Sequence, residues 1–92
     1  MATYLMLGKY TAEALKGASA ERTKKAQDVI AKAGGKIQTM YALLGRYDLV
    51  LIVDLPDNAA AVKVSADLVK MTGVGFTTSP TLSIAEFDKA IG

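Results

Sequence analysis

Cysteine, histidine and tryptophan are all missing from this chain of 92 residues, and proline and phenylalanine occur only twice each. Without cysteine there is no disulfide and no thiol nucleophile. Without histidine there is no imidazole acid or base near neutral pH, no Ser-His-Asp set and no histidine-ligated haem. Zinc-type sites fall with both residues, so no metal and no cofactor is expected. Neither sign of charge dominates. Eleven basic residues stand against nine acidic ones for a net +2, too even a balance to imply nucleic acid or an acidic substrate. The most basic stretch, Arg22, Lys24, Lys25, Lys32 and Lys36, is interleaved with Glu21 and Asp28. Helical spacing sets Lys25 and Lys32 beside Asp28, so it reads as a solvated face with local ion pairs. No apolar run approaches the roughly 20 residues of a membrane span. The first residues resemble neither a secretory signal nor a transit peptide. No membrane partner is expected, and the cytoplasm is the expected location.

What is abundant is apolar surface. Hydrophobic residues make up 51% of the chain, and the mean hydropathy is +0.26. An average domain reaches about 45 to 50% only when glycine is counted. Residues 1–92 form a single domain, small enough to remove only roughly 60 to 65% of its unfolded surface from water. Excess apolar surface on so small a body is expected in a subunit interface, which makes a homodimer or higher oligomer the expected state.

Tyr4 to Tyr10 reads as a first strand. Thr11 caps a short turn over Ala12 to Lys16 that Gly17 interrupts, and helix resumes near Ser19 with Ala26, Ile30 and Ala33 on one stripe. Gly34-Gly35 ends it. Lys36 to Leu44 is a second strand, closed by a Gly45 turn into a third, Tyr47 to Asp54. Pro56-Asp57-Asn58 opens a helix that runs to about Met71 and stops at Gly73. Ala61, Val64, Leu68 and Met71 are its expected inner face, with Lys63, Asp67 and Lys70 on another stripe. Val74 to Ser79 is a fourth strand, broken by Pro80. Ser83 with Glu86 forms a capping box for a last helix through Ala90.

This order, βαββαβ with an extra C-terminal helix, predicts an α+β fold of the ferredoxin-like split-βαβ type. The first and third strands are expected at the centre. The uniformly apolar Leu49 to Val53 fits that place, and the Gly- and Thr-rich fourth strand fits an edge. Right-handed crossovers put both long helices on one face. The third strand is apolar on both sides, so the other face is expected to be buried by a second subunit, as in dimeric α+β barrels.

Tyr4, Met6, Gly8 and Tyr10 share one side of the first strand by period-two alternation. Gly8 leaves a side-chain gap there, suited to a ligand or to a close partner. Tyr41 and Tyr47 add phenols, which combine apolar area with one polar tip. Tyr4, Gly8, Tyr10, Tyr41, Tyr47 and Asp48 are therefore the candidate ligand-binding residues, set at an interface with an adjoining pocket. A structural reading competes at Gly45-Arg46-Tyr47-Asp48: Gly45 takes positive φ, Tyr47 packs its ring, and Asp48 accepts from backbone amides. Arg22 with Thr77-Thr78-Ser79 would bind an anion only if folding brought them together; a solvated role is preferred. Asp48 and Asp54 are roughly 20 Å apart along a strand at about 3.3 Å per residue, too far to cooperate.

Gly8-Lys9-Tyr10-Thr11, Leu15-Lys16-Gly17, Gly34-Gly35-Lys36, Gly45-Arg46-Tyr47-Asp48 and Asp54-Leu55-Pro56-Asp57 together resemble the bacterial GYD domain family. The resemblance implies a small ferredoxin-like oligomer in a family of uncharacterised function, and it assigns no catalytic residue. Gly45, Tyr47 and Asp48 match the signature, whose second position is open, so Arg46 inherits nothing.

The favoured expectation is a binding module with a small-molecule pocket near the subunit interface, with enzymatic activity left open. The alternative is a cofactor-free enzyme of the dimeric α+β barrel kind, a monooxygenase or isomerase, with Tyr41, Arg46, Tyr47 and Asp48 as polar groups. RNA binding is rejected because Leu49 to Val53 offers no stacking ring.

Overall fold

The computed structural model describes residues Met1–Gly92. Eight elements follow in order: β1 (Ala2–Lys9), α1 (Ala12–Lys16), α2 (Ala20–Lys32), β2 (Lys36–Ala42), β3 (Leu49–Leu55), α3 (Asn58–Thr72), β4 (Gly75–Pro80) and α4 (Ile84–Ile91). Side-chain oxygens set every helix start. Thr11 accepts from the Ala14 amide, Ser19 from Arg22, Asp57 from Ala60 and Ser83 from Glu86, at 2.9 to 3.1 Å. Each such cap stabilises its helix by about 1 kcal/mol. Gly73, at φ +75°, ends α3 in a left-handed conformation that an L side chain would resist.

The strands form one antiparallel sheet in the order β2-β3-β1-β4. This is the ferredoxin-like arrangement expected, with β1 and β3 central. Tyr4, Met6, Leu51, Val53 and Leu55 face the helix layer and pack with Ile30 of α2 and with Ala61, Val64 and Leu68 of α3. Only 12 of 92 residues are buried, so few of these contacts are redundant.

Alternate residues point the other way. Leu5 pairs with Ile52 and Leu7 with Val50. These four half-buried side chains form an apolar square on the sheet face away from α2 and α3. The third strand is thus apolar on both sides, as its sequence requires.

Several boundaries differ from expectation. β2 stops at Ala42 and β3 begins at Leu49, so Tyr47 lies in a loop over 43–48 and not in a strand. The backbone of Asp48 explains this: its amide donates to Gly8 O, and its carbonyl accepts from the Leu43 amide, both at 2.8 Å. The first bond ties the loop to the end of β1, and the second closes a six-residue loop in place of a tight hairpin. Lys25 pairs with Glu21 at 3.5 Å and not with Asp28. Met71 is 37% exposed. It lies one heptad after Val64, and a helix drifts about 20° per heptad, which carries Met71 to the rim. No helix is long and apolar enough to cross a membrane.

Candidate functional site

A cleft of about 120 Å³ opens on the helix side of the sheet, where α2 and the end of α3 diverge over the Ala42 and Leu49 ends of β2 and β3. Hydrophobic residues supply 11 of its 15 lining positions, among them Ala26, Leu49, Leu51, Leu68, Val74 and Phe76. The serine and threonine hydroxyls in its wall are engaged elsewhere. Thr23 Oγ1 donates to Ser19 O at 3.1 Å, and Thr72 Oγ1 donates to Leu68 O at 2.7 Å while accepting from the Val74 amide. Apart from the Tyr10 phenol, the walls are therefore apolar in effect.

The rim carries one charge, Arg22. The Ser19 cap fixes its backbone, and the side chain crosses directly over Gly17, where a Cβ would stand 2.8 Å from Nη1. Nη1 donates to Ala14 O at 2.6 Å. The guanidinium lies 5.8 Å from the centroid of the Tyr10 ring, a cation–π distance. A guanidinium has five N–H donors, so one bond to Ala14 leaves the fork able to meet an anion at the rim.

The β2–β3 loop backs this rim. Asp48 Oδ2 accepts from the Tyr10 amide at 2.7 Å, and Lys9 Nζ donates to Arg46 O at 2.8 Å. Gly45 has φ +136°, and Arg46 lies 5.7 Å from the centroid of the Tyr47 ring. Asp48 thus holds Tyr10 in place, and its bond to a backbone amide is the one foreseen in the structural reading of the motif.

The candidate residues do not form one constellation. Tyr10 and Tyr41 both border the cleft, but Tyr41 is paired with Val50, so its ring points to the opposite face of the sheet and is 63% exposed. Asp48 reaches it through the Tyr10 backbone, and Tyr47 stays in the loop with Arg46. Tyr4 is 2% exposed in the helix-side core, with its phenol donating to Asn58 Oδ1 at 2.6 Å. It borders a separate, shallower groove of about 420 Å³ between α3 and β4. That groove carries no charge, and its polar groups satisfy one another, Ser65 with Thr78 at 2.7 Å and Tyr4 with Asn58. Gly8 faces the Phe76 ring; a Cβ there would lie 2.7 Å from Phe76 Cε1 and 3.1 Å from Val74 Cγ1. The gap left by Gly8 is filled by this chain's own aromatic ring. The side shared by Tyr4, Met6 and Gly8 is consequently the helix side, because the right-handed crossovers choose it.

Arg22 does not meet Thr77-Thr78-Ser79. Thr78 is bonded to Ser65, and Thr77 and Ser79 alternate to the opposite face of an edge strand. Arg22's place at the rim was the feature that the sequence reading missed. The signal was Gly17 at a helix break, with a capped helix carrying Arg22 in its first turn. No three metal-ligating side chains come together.

Asp54, at the far end of β3, belongs to another local arrangement. A bulge in β2 near Gln38 turns that side chain onto both Asp54 oxygens at 2.8 and 2.9 Å, and Thr3 Oγ1 donates to Oδ1 at 2.6 Å. The Thr3 bond first, then Gln38, lowers the Asp54 pKa below its ordinary 3.8. A depressed folded-state pKa adds stability above the unfolded value that is lost as pH falls through the folded one. Urea midpoints of the wild type should therefore drop between neutral pH and pH 3 (about one unit below the ordinary carboxylate value) more than those of Asp54→Asn. Equal drops would remove Asp54 from the acid response.

The family model for the GYD domain matches residues 4–91. Among solved structures, the fold is similar to that of the Mycobacterium tuberculosis leucine response regulatory protein LrpA, with a TM-score of 0.59 at 10% identity. The similarity covers 89% of this chain and 51% of that one, so the chain spans about half of that regulator's length. At this identity the likeness concerns the fold alone. No curated protein matches the sequence.

Proposed function

We propose that this chain, which belongs to the GYD domain family, is a self-associating binding module that holds a small, largely apolar organic anion in the cleft beside Arg22. The observation that carries this reading is a lone, braced guanidinium over Tyr10 at the mouth of an otherwise apolar cavity. Size narrows the ligand. A dry apolar cavity of about 150 Å³ takes up benzene, so about 120 Å³ with an open mouth suits one small ring or a short branched chain bearing a carboxylate. The cleft brings a phenol and a guanidinium to the ligand but no carboxylate. A general acid or base near neutral pH is thus not supplied, which favours binding over turnover. Self-association is supported by the apolar square of Leu5, Leu7, Val50 and Ile52, which water would otherwise face.

Isotope-labelled protein titrated with sodium benzoate, followed by amide chemical shifts, tests the site. Saturable shifts are expected at Ala26, Leu68 and Val74. Arg22→Gln should weaken benzoate about 10- to 100-fold, the range of a lost charge-assisted hydrogen bond. Neutral benzyl alcohol should bind the wild type no better than benzoate binds the variant. Shifts away from the cleft, or an Arg22→Gln protein that binds as well as the wild type, would overturn the assignment.

A further inference from the structure

We infer that α4 is an exchanged arm: the Ile84, Phe87 and Ile91 stripe of each copy lies on the Leu5, Leu7, Val50 and Ile52 face of a second copy. This rests on the self-association proposed above and names the element that covers the face.

Start from the helix itself. α4 is eight residues long and has no buried residue. Isolated helices shorter than about 12 to 15 residues are marginal in water, so α4 needs a surface to pack on. Its apolar residues fall at i, i+3 and i+7 and form one stripe. Ile84 is 73% exposed, Phe87 47% and Ile91 69%. The chain leaves the body at Thr81, whose amide and hydroxyl both donate to Thr3 O at 2.9 Å. Beyond it only Leu82 and Ser83 precede the helix. The longest dimension of the molecule is 47 Å, well beyond the roughly 26 Å of the eight-residue β1, as expected of a chain whose last helix stands off the sheet.

Surface area points to a second copy as the occupant. The chain exposes 6046 Å², about 900 Å² more than the roughly 5,100 Å² expected for a folded monomer of 9.7 kDa. One side of a standard protein interface buries about 800 Å². The radius of gyration, 13.8 Å, likewise exceeds the roughly 12.3 Å of a compact chain this long. The dimensions also match: Ile84 to Ile91 spans about 10.5 Å of helix, enough to cross the roughly 7 Å between Leu5 and Leu7. Two unpaired apolar surfaces on one chain are both satisfied by a two-fold axis, with each copy giving one arm and receiving one.

The absence of native cysteine makes the test direct. Protein carrying Leu7→Cys is mixed with protein carrying Phe87→Cys and oxidised. A covalent heterodimer on a non-reducing gel is the expected result. In parallel, sedimentation should show the wild type as a dimer, with Phe87→Asp weakening it about 30-fold or more, as loss of a central aromatic anchor does. Val62→Asp, on the outer side of α3, should leave the dimer unchanged. α4 contributes nothing to the core, so unchanged amide chemical-shift dispersion over residues 2–80 will show that Phe87→Asp keeps its fold while the released arm loses helicity. A dimer that ignores Phe87→Asp would be held by sheet on sheet, overturning the arm while self-association stands. A double variant, Leu7→Cys with Phe87→Cys, that closes only within one chain would also overturn it. A wild type that stays monomeric would overturn both readings.

Discussion

Gly35→Ala is expected to destabilise the fold by about 3 kcal/mol, the upper end of what overpacking a filled site costs. The substitution adds a single methyl at a position with no left-handed requirement, so propensity alone would call it mild. Space decides otherwise. A Cβ at Gly35 would stand 2.5 Å from Leu55 Cδ2, 2.6 Å from Asp54 O and 3.1 Å from Ile30 O. Leu55 is fully buried and cannot swing away. The two carbonyls are backbone, and Ile30 O already accepts the Gly35 amide at 3.0 Å. Relief would have to come from parting the end of α2 from β3, which would also disturb the Lys36–Asp54 pairing. Chemical denaturation should show the loss, and the melting temperature should fall by about 12 to 24 °C for a domain of this size. Gly75→Ala is the matched comparison, because nothing lies within 4 Å of a Cβ there. If the two variants melt together, the close approach at Gly35 is not real.

That contrast also marks how far the sequence could be read. The Gly34-Gly35 pair announced a helix end, and α2 does end there, but only the packing shows that Gly35 is a point of contact between two backbones. The strand order was legible because it rests on local composition: Leu49 to Val53 could only be central, and the Gly- and Thr-rich β4 could only be an edge. The caps at Thr11 and Ser83 were legible for the same reason, and Ser19 and Asp57 stand where helix starts were expected, since all four act within three residues of themselves. The loop over 43–48 was not, because its bonds run to Gly8 and Tyr10, far away in sequence. The candidate site suffered likewise. Period-two alternation grouped Tyr4 and Gly8 correctly, yet which face the helices cover, and that Phe76 fills the space at Gly8, depend on long-range pairing of β1 with β4. Arg22 was weighed as an anion ligand with the wrong partners. Its actual neighbours, Ala14, Gly17 and Tyr10, come from a helix break whose direction the sequence does not state.

Leu51→Ala is expected to cost about 3 kcal/mol and to change what the cleft accepts. Leu51 is 1% exposed on the central strand, paired with Met6 and Met40 in the sheet. Leucine-to-alanine changes at such sites cost about 2 to 5 kcal/mol, a transfer part plus a part for the cavity left behind. Here the two parts separate, because Leu51 is also a wall of the cleft. The vacated space would join an existing opening and admit water or a ligand, so the cavity part should be smaller than at Leu55, which is equally buried but borders none of the described clefts. Urea unfolding of the two variants should therefore rank Leu55→Ala as the more damaging. The enlarged cleft of the Leu51→Ala protein should take up 1-naphthoate, whose second ring the wild-type cleft has no room for, and naphthoate should recover part of the lost stability through linkage. A Leu51→Ala protein that is destabilised but indifferent to naphthoate would mean that Met6, Met40 and Leu68 have closed over the space, and that core and cleft do not share this wall.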